Sequence, residues 1–209
     1  MTPSLRVLLV EDSEDDALLI LRALRRGGLE PTALRVQDAK QLAVALAQPW
    51  DVVISDFSMQ GFTGMDALAM CRATHADIPF ILMSGTIGEE TAVAAMKAGA
   101  NDYVMKHNMA RLAPALLREL HEATMRADLR RTELKLIESE RRFHAFMDAS
   151  PFIASIKDDS GRYVYRNQGW NKIFGLDGPV WLDDDGEQLP HERRAAARAS
   201  DIEVLTRGV

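Results

Sequence analysis

Five polar residues stand where short apolar runs end in the first half of the chain. Glu11 and Asp12 follow the first run, Asp56 and Ser84 stand at the ends of two later runs, and Lys106 follows the last. Each run has the length and composition of a buried strand. If the strands are parallel, their carboxyl ends share one edge of a sheet, so these five side chains converge.

Such a cluster has a definite chemistry. Two like charges ~4 Å apart cost on the order of 4 kcal/mol at an effective dielectric near 20, so crowded carboxylates need a proton or a hard cation. Mg²⁺ prefers oxygen ligands and commonly bridges carboxylate and phosphate. An ammonium and a hydroxyl can bind phosphoryl oxygens, and together these groups can support a carboxylate nucleophile that forms an aspartyl-phosphate.

The elements that must position these residues alternate along residues 1–107. Amphipathic stretches of helical period separate the apolar runs, for example at 17–26 and 42–47. This alternation predicts βαβ units and a five-stranded, doubly wound parallel α/β sheet. The predicted strands are Val7–Val10, Val52–Ile54, Phe80–Met83, Tyr103–Met105 and, more weakly, Thr32–Val36.

Residues typical of helix starts and ends agree with this pattern. Gly27 and Gly28 predict the end of the first helix, and Asp38 with Gln41 predicts the start of the second. Cys71 lies in an apolar helical stretch and is interpreted as a small buried hydrophobe.

A long helix is predicted over residues 110–142, where charge is dense and Gly is absent. It carries two apolar seams. A weak coiled-coil dimer is one interpretation, and a solvated helix lying on its own domain is the other. The first seam contains Met125, Leu129, Thr132, Leu136, Ser139 and Phe143, and the second contains Leu116, Leu120, Ala123, Ala127, Leu134 and Ile137.

Bulk composition restricts the partners. The chain of 209 residues has a net charge of −6, so a general nucleic-acid or anionic-membrane surface is not expected. With a single cysteine and no apolar stretch near the ~18 residues of a membrane helix, we expect a cytoplasmic protein without a membrane or nucleic-acid partner.

Residues 5 to about 120 resemble the response-regulator receiver family. No single motif is decisive, but the ordered set with this spacing is specific. The motifs that carry the resemblance are Val7–Asp12, Ile54–Met59, Met83–Thr86 and Gly99–Lys106.

The resemblance implies a flavodoxin-like strand order of 2-1-3-4-5 and a set of roles. Asp56 is then the phosphoacceptor. Asp12, Asp56 and the Ser58 carbonyl bind Mg²⁺, with Glu11 acting through water. The phosphoryl group is contacted by Ser84 and Lys106, and Ser84 and Tyr103 form the switch.

The family further implies partners and a response. A sensor histidine kinase or phosphotransfer protein supplies the phosphoryl group, and the chain performs only its own phosphorylation and dephosphorylation. The surface built from the fourth helix, fifth strand and fifth helix changes on phosphorylation, because an added charge of about −1.5 to −2 recruits donors. A homodimer through that surface, the long helix or both is expected.

Two residues depart from the family pattern. Gln60 stands four residues after Asp56, and His107 follows Lys106, at positions where the family often has proline. Gln60 predicts a looser loop and His107 a different aim of Lys106, but neither removes a reacting group.

A second module follows. Residues 141–209 resemble the N-terminal part of a PAS domain, on motifs at 142–151, 157–167 and 171–175. The predicted organisation is a receiver domain at 1–122, a linker helix at 123–142 and a partial α+β PAS-like segment at 143–209. A PAS fold normally needs about 100 residues, so we expect this segment to be marginally stable.

Other interpretations remain. Glu11–Asp16 could be a solvated helix start, Asp56 a turn residue and Tyr103 simple core filling. The chain could be a receiver-fold binding module that is never phosphorylated, or the N-terminal part of a hybrid histidine kinase or cyclic-dinucleotide enzyme. His121 only faintly resembles a kinase phosphoacceptor, and the Asp-x-Asp pattern of aspartyl phosphatases is missing after the first strand.

Overall fold

The chain divides into two units, Met1–Arg130 and Arg131–Val209. A computed structural model describes residues 5–75, 77–85, 89–158 and 162–174 of it. Within these residues, no helix is both long and apolar enough to cross a bilayer.

The first unit is built on a five-stranded parallel sheet. Its strands are β1 (Leu5–Val10), β2 (Pro31–Val36), β3 (Val52–Asp56), β4 (Phe80–Ser84) and β5 (Asp102–Met105). Their order is β2-β1-β3-β4-β5, as the family resemblance implies, and all four neighbouring pairs are parallel. The doubly wound, flavodoxin-like fold predicted from the sequence is therefore confirmed.

Five helices flank the sheet. They are α1 (Glu14–Arg26), α2 (Ala39–Ala45), α3 (Gly64–Thr74), α4 (Glu89–Lys97) and α5 (Leu112–Ala149). A short hairpin, Ser58–Met59 paired with Phe62–Thr63, lies between β3 and α3, and a 3₁₀ turn at Lys106–Arg111 precedes α5.

The core has two layers because successive side chains of a strand point to opposite faces. In β1, Leu8 packs with α2, α3 and α4, whereas Leu9 packs with α1 and the start of α5. Strands β3 and β4 are buried along their whole length, which explains why they are continuous apolar runs rather than alternating ones.

The helix boundaries follow from their caps. Ser13 accepts a hydrogen bond from the Asp16 N–H at the start of α1, and Asp38 does the same for Gln41 in α2. Gly27 ends α1, as predicted, with its N–H bonded to the Ala23 carbonyl. Cys71 is fully buried in α3, as predicted.

The second unit is smaller in its described part. It contains the later part of α5, an antiparallel hairpin of β6 (Ser155–Lys157) and β7 (Tyr163–Arg166), and α6 (Gln168–Phe174). The hairpin expected from the sequence is present, but its first strand starts at Ser155 instead of Phe152. Residues 175–209, which hold the rest of the predicted PAS-like segment, lie outside the described residues.

Candidate functional site

Three carboxylates converge at the carboxyl edge of the sheet. Glu11 and Asp12 directly follow β1, and Asp56 is the last residue of β3. These strands are neighbours, so the three side chains meet although Asp12 and Asp56 are 44 positions apart. One oxygen from each lies within 4.8 Å of the others. Glu11 and Asp56 are buried, whereas Asp12 is exposed.

Lys106 reaches into this cluster from the end of β5. Its Nζ lies 3.0 Å from Asp56 Oδ2, 3.0 Å from Glu11 Oε2 and 2.5 Å from Asp16 Oδ2. The spatial relation on which the sequence interpretation depended, the lysine beside Asp56, is therefore present.

Backbone N–H groups orient the carboxylates. Phe57 N–H donates to Asp56 Oδ1 at 2.8 Å, and Ser13 N–H donates to Glu11 Oε1 at 3.1 Å. The exposed Asp12 accepts from the distant Gln60 N–H at 3.2 Å.

A close approach of α3 fixes the backbone beneath the site. A Cβ on Gly64 would lie only 2.5 Å from the Asp56 carbonyl oxygen and 2.5 Å from Leu82 Cδ1. The Gly64 N–H also donates to the Phe57 carbonyl at 2.9 Å. Only glycine therefore allows the start of α3 to pack this tightly on the residue that carries the carboxylate.

The electrostatics of the cluster are unbalanced. Among the described residues, the four carboxylates of Glu11, Asp12, Asp16 and Asp56 meet two cations. Lys106 pairs with those of Glu11, Asp16 and Asp56, and the Arg35 guanidinium donates to the backbone carbonyls of Glu11 and Asp12. Burial raises the pKa of Glu11, against the lowering effect of its hydrogen bond from Lys106. Burial alone would lower the pKa of Lys106, but its hydrogen bonds to Asp16, Glu11 and Asp56 outweigh burial and raise it.

The donor set fits a hard divalent cation. The three converging ligands are carboxylate oxygens, which is the chemistry that Mg²⁺ prefers, and their excess negative charge is what a cation would relieve. Nitrogen and sulfur ligands, which softer metals prefer, do not occur in this cluster of described residues.

The other predicted site residues lie around this edge. Ser84 ends β4, one residue after Met83, which pairs with Asp56 of β3, and it is almost completely buried. Ser58 stands two residues after Asp56 in the short hairpin. Tyr103 is half-buried against the core layer of α2–α4, its hydroxyl donates to the Met105 sulfur, and burial raises its pKa.

Three contacts were not anticipated from the sequence. Asp16 binds Lys106, Gln60 binds Asp12, and the Arg35 guanidinium donates to the carbonyls of Glu11 and Asp12 at 3.1 and 3.2 Å. The acidic start of α1 was a usable signal for Asp16. The sequence held no signal for Gln60, whose contact is made by its backbone.

Comparison with known proteins adds the family. The model of the response regulator receiver domain matches residues 7–117, which is more than half of the chain. The transcriptional regulatory protein PrrA of Mycobacterium tuberculosis is 34% identical over 126 residues, covering 60% of this chain and 50% of PrrA. The C4-dicarboxylate transport regulator DctD of Pseudomonas aeruginosa is 36% identical over 102 residues, 48% of this chain and 22% of DctD. The chain thus spans half or less of these relatives.

Solved structures agree. The receiver domain of the sensor histidine kinase PA1611 of Pseudomonas aeruginosa PAO1, solved with a magnesium ion coordinated in its active-site cleft, is 25% identical with a TM-score of 0.50. The alignment covers 56% of this chain and 98% of the PA1611 domain. NtrX of Brucella abortus is 25% identical with a TM-score of 0.55, covering 60% of this chain and 29% of NtrX.

None of these matches concerns the PAS resemblance, which stays a prediction. The strand order, the acidic cluster beside a lysine and the family match all fall within the first unit. Together they identify this chain as a member of the response regulator receiver domain family.

Proposed function

We propose that this chain is a phospho-accepting response regulator in two-component signal transduction, with Asp56 as the phosphoacceptor. One observation carries the proposal: the Asp56 carboxylate lies within 4.8 Å of the Glu11 and Asp12 carboxylates and 3.0 Å from the Lys106 ammonium. The proposed nucleophile therefore lies beside both the carboxylates that would bind a metal cation and a positively charged lysine.

The proposed reaction is phosphoryl transfer from a histidine of a kinase or phosphotransfer protein. An Asp56 carboxylate oxygen attacks phosphorus, a P–O bond forms, and the P–N bond to the donor imidazole breaks. The electron pair of that bond returns to the imidazole nitrogen, which takes up a proton. The attacking group is a carboxylate, which has no proton to lose, so no base is needed to activate it.

The surrounding residues have distinct tasks in this proposal. Lys106 and the Ser84 hydroxyl bind phosphoryl oxygens of the product. Asp12, Asp56 and the Ser58 carbonyl would hold Mg²⁺, with Glu11 acting through a water molecule. Bound there, the cation would neutralise charge shared between carboxylate and phosphoryl oxygens. Lys106 would have to leave part of its contact with Asp16 or Glu11 to follow the new negative charge.

We also propose a response at a distance. Ser84 and Tyr103 lie on β4 and β5, so recruitment of Ser84 to the phosphoryl group provides a route to the surface formed by α4, β5 and α5. The relatives PrrA and DctD are named as transcriptional regulators. In this proposal the long helix and the PAS-like segment carry the response onward.

Acetyl phosphate tests whether Asp56 accepts the phosphoryl group. Incubation of the full chain with acetyl phosphate and Mg²⁺ should add about 80 Da, as one phosphoryl group requires. The adduct should disappear in Asp56→Asn and when EDTA replaces Mg²⁺.

Asp15→Asn is the matched control because Asp15 is exposed on the first turn of α1, outside the cluster. It should keep the adduct. An Asp56→Asn chain that is modified as fully as the wild type contradicts the proposal, and a wild-type chain that is never modified favours a non-phosphorylated binding module.

A further inference from the structure

The hydrogen bond between Gln60 and Asp12 joins two separate parts of the site. Gln60 N–H donates to Asp12 Oδ2 at 3.2 Å, across 48 positions of sequence. Glu11 and Asp56 accept instead from N–H groups one or two residues away. The loop after β1 is thus connected to the hairpin after β3 through the exposed member of the carboxylate set.

The hairpin gives this donor a fixed direction. Met59 pairs with Phe62, which leaves Gln60 and Gly61 as the two central residues of the turn. Gly61 has φ +71°, the value required at the second central position of a type II turn. Met59 and Phe62 are buried in the core, so the turn cannot move freely against β3.

Asp12 needs such a restraint. It is exposed, it lies among other carboxylates, and like charges at these distances repel. Without a donor, its side chain would spend more time turned towards solvent. Partners that orient metal ligands commonly change metal affinity by about 10–100-fold.

We propose that the Gln60 backbone N–H is a positioning donor that holds Asp12 ready for the cation. The inference rests on the proposed function. The Gln60 side chain is exposed and has no part in it. Any residue except proline supplies a backbone N–H at this position. Because this chain has Gln60 where the family often has proline, its cation site gains one hydrogen bond.

The test compares Gln60→Pro with Gln60→Ala. Proline favours the first central position of a type II turn, so Gln60→Pro removes the N–H while the turn is kept. Titration of the full chain with MgCl₂ by calorimetry should give a Kd about 10-fold higher for Gln60→Pro, the lower end of the usual effect of such partners. Gln60→Ala keeps the N–H and should match the wild type.

A double variant separates positioning from a general disturbance of the loop. In an Asp12→Ala background, Gln60→Pro should change the residual Mg²⁺ affinity no further, because the group through which it acts is gone. An equal loss of affinity in both backgrounds overturns the inference.

Hydrogen exchange provides a readout that does not depend on the proline variant folding. The Gln60 amide should exchange about 10-fold faster in Asp12→Ala than in the wild type, since it loses its acceptor. An unchanged rate overturns the inference. If the wild-type chain binds no Mg²⁺, both the proposed function and this inference are overturned. If the wild type and Gln60→Pro bind Mg²⁺ with equal affinity, only the inference is overturned.

Discussion

Glu11 illustrates how the site acts against the stability of the fold. Its side chain is almost completely buried, and burial raises its pKa above the ordinary value although Lys106 and Ser13 bind it. A carboxylic acid with a raised pKa in the folded state makes folding less favourable once it is ionised. The cost begins above its pKa in the unfolded chain and is fully present above its pKa in the folded chain.

Glu11→Gln should therefore stabilise the metal-free protein at neutral pH. We expect a Tm higher by a few degrees at pH 7 in EDTA, since about 2–4 °C corresponds to 1 kcal/mol in a chain of this size. The gain should vanish as the pH falls towards 4.5, the ordinary pKa of the group, because wild-type Glu11 is then neutral as well. Thermal unfolding at both pH values measures it.

The exposed Glu133, on α5, provides the control, and Glu133→Gln should give no such pH-dependent difference. A Glu11→Gln chain that is less stable than the wild type at pH 7 would mean that the ion pair with Lys106 outweighs the cost of burial.

The site residues that could be predicted from the sequence are those that stand at the ends of strands. Glu11, Asp12, Asp56, Ser84 and Lys106 each stand where a strand ends, and parallel strands bring such ends together. Asp16 was not predictable in this way. It was interpreted as part of a charged helix start, and its contact depends on which way the first turn of α1 presents its side chains to Lys106.

At the scale of elements, the sequence located strands better than it located their limits. β3 and β4 were evident because burial on both faces makes them continuously apolar. The start of β6 was placed three residues early because Phe152 and Ile153 are apolar, yet both are exposed. Apolar composition does not tell whether a strand has a partner at that position.

Asn167 joins three segments in the described part of the second unit. It is fully buried, and its side chain makes four hydrogen bonds. Its Nδ2 donates to the carbonyls of Met147 and Phe152, and its Oδ1 accepts from the N–H groups of Ala154 and Trp170, at 2.8–2.9 Å. One side chain thereby connects the end of α5, the segment before β6 and the start of α6.

Asn167→Ala should loosen this unit while the receiver unit stays folded. Removing the amide leaves buried groups without partners at about 1–3 kcal/mol each, so we expect hydrogen exchange in residues 147–170 to accelerate at least ~10-fold. Exchange mass spectrometry localises the effect. Asn171→Ala is the matched control because the Asn171 Oδ1 has no hydrogen-bond partner among the described residues. Unchanged exchange in Asn167→Ala contradicts the prediction.

Among the described helices and strands, α5 carries the largest number of exposed large apolar side chains. Its first turns bury Leu112 and Leu116 in the receiver core. The second apolar seam begins at Leu116, so it starts on the helix face that is buried in the core of the receiver unit. The first seam starts later, and its apolar members Met125, Leu129, Leu136 and Phe143 are 58, 63, 59 and 41% exposed.

We therefore expect a weak homodimer that pairs along the first seam. Leu136→Glu should raise the dimer dissociation constant at least ~10-fold, because a buried charge replaces an apolar contact worth about 1.4 kcal/mol or more. Leu134→Glu is the matched control: Leu134 is 66% exposed two positions away and belongs to the second seam. Sedimentation of the full chain over a range of concentrations measures both. The seam assignment fails if Leu134→Glu weakens the dimer more than Leu136→Glu. If the wild type stays monomeric at every concentration, α5 is a solvated helix, and any phosphorylation signal must leave through α4, β5 and the start of α5 instead.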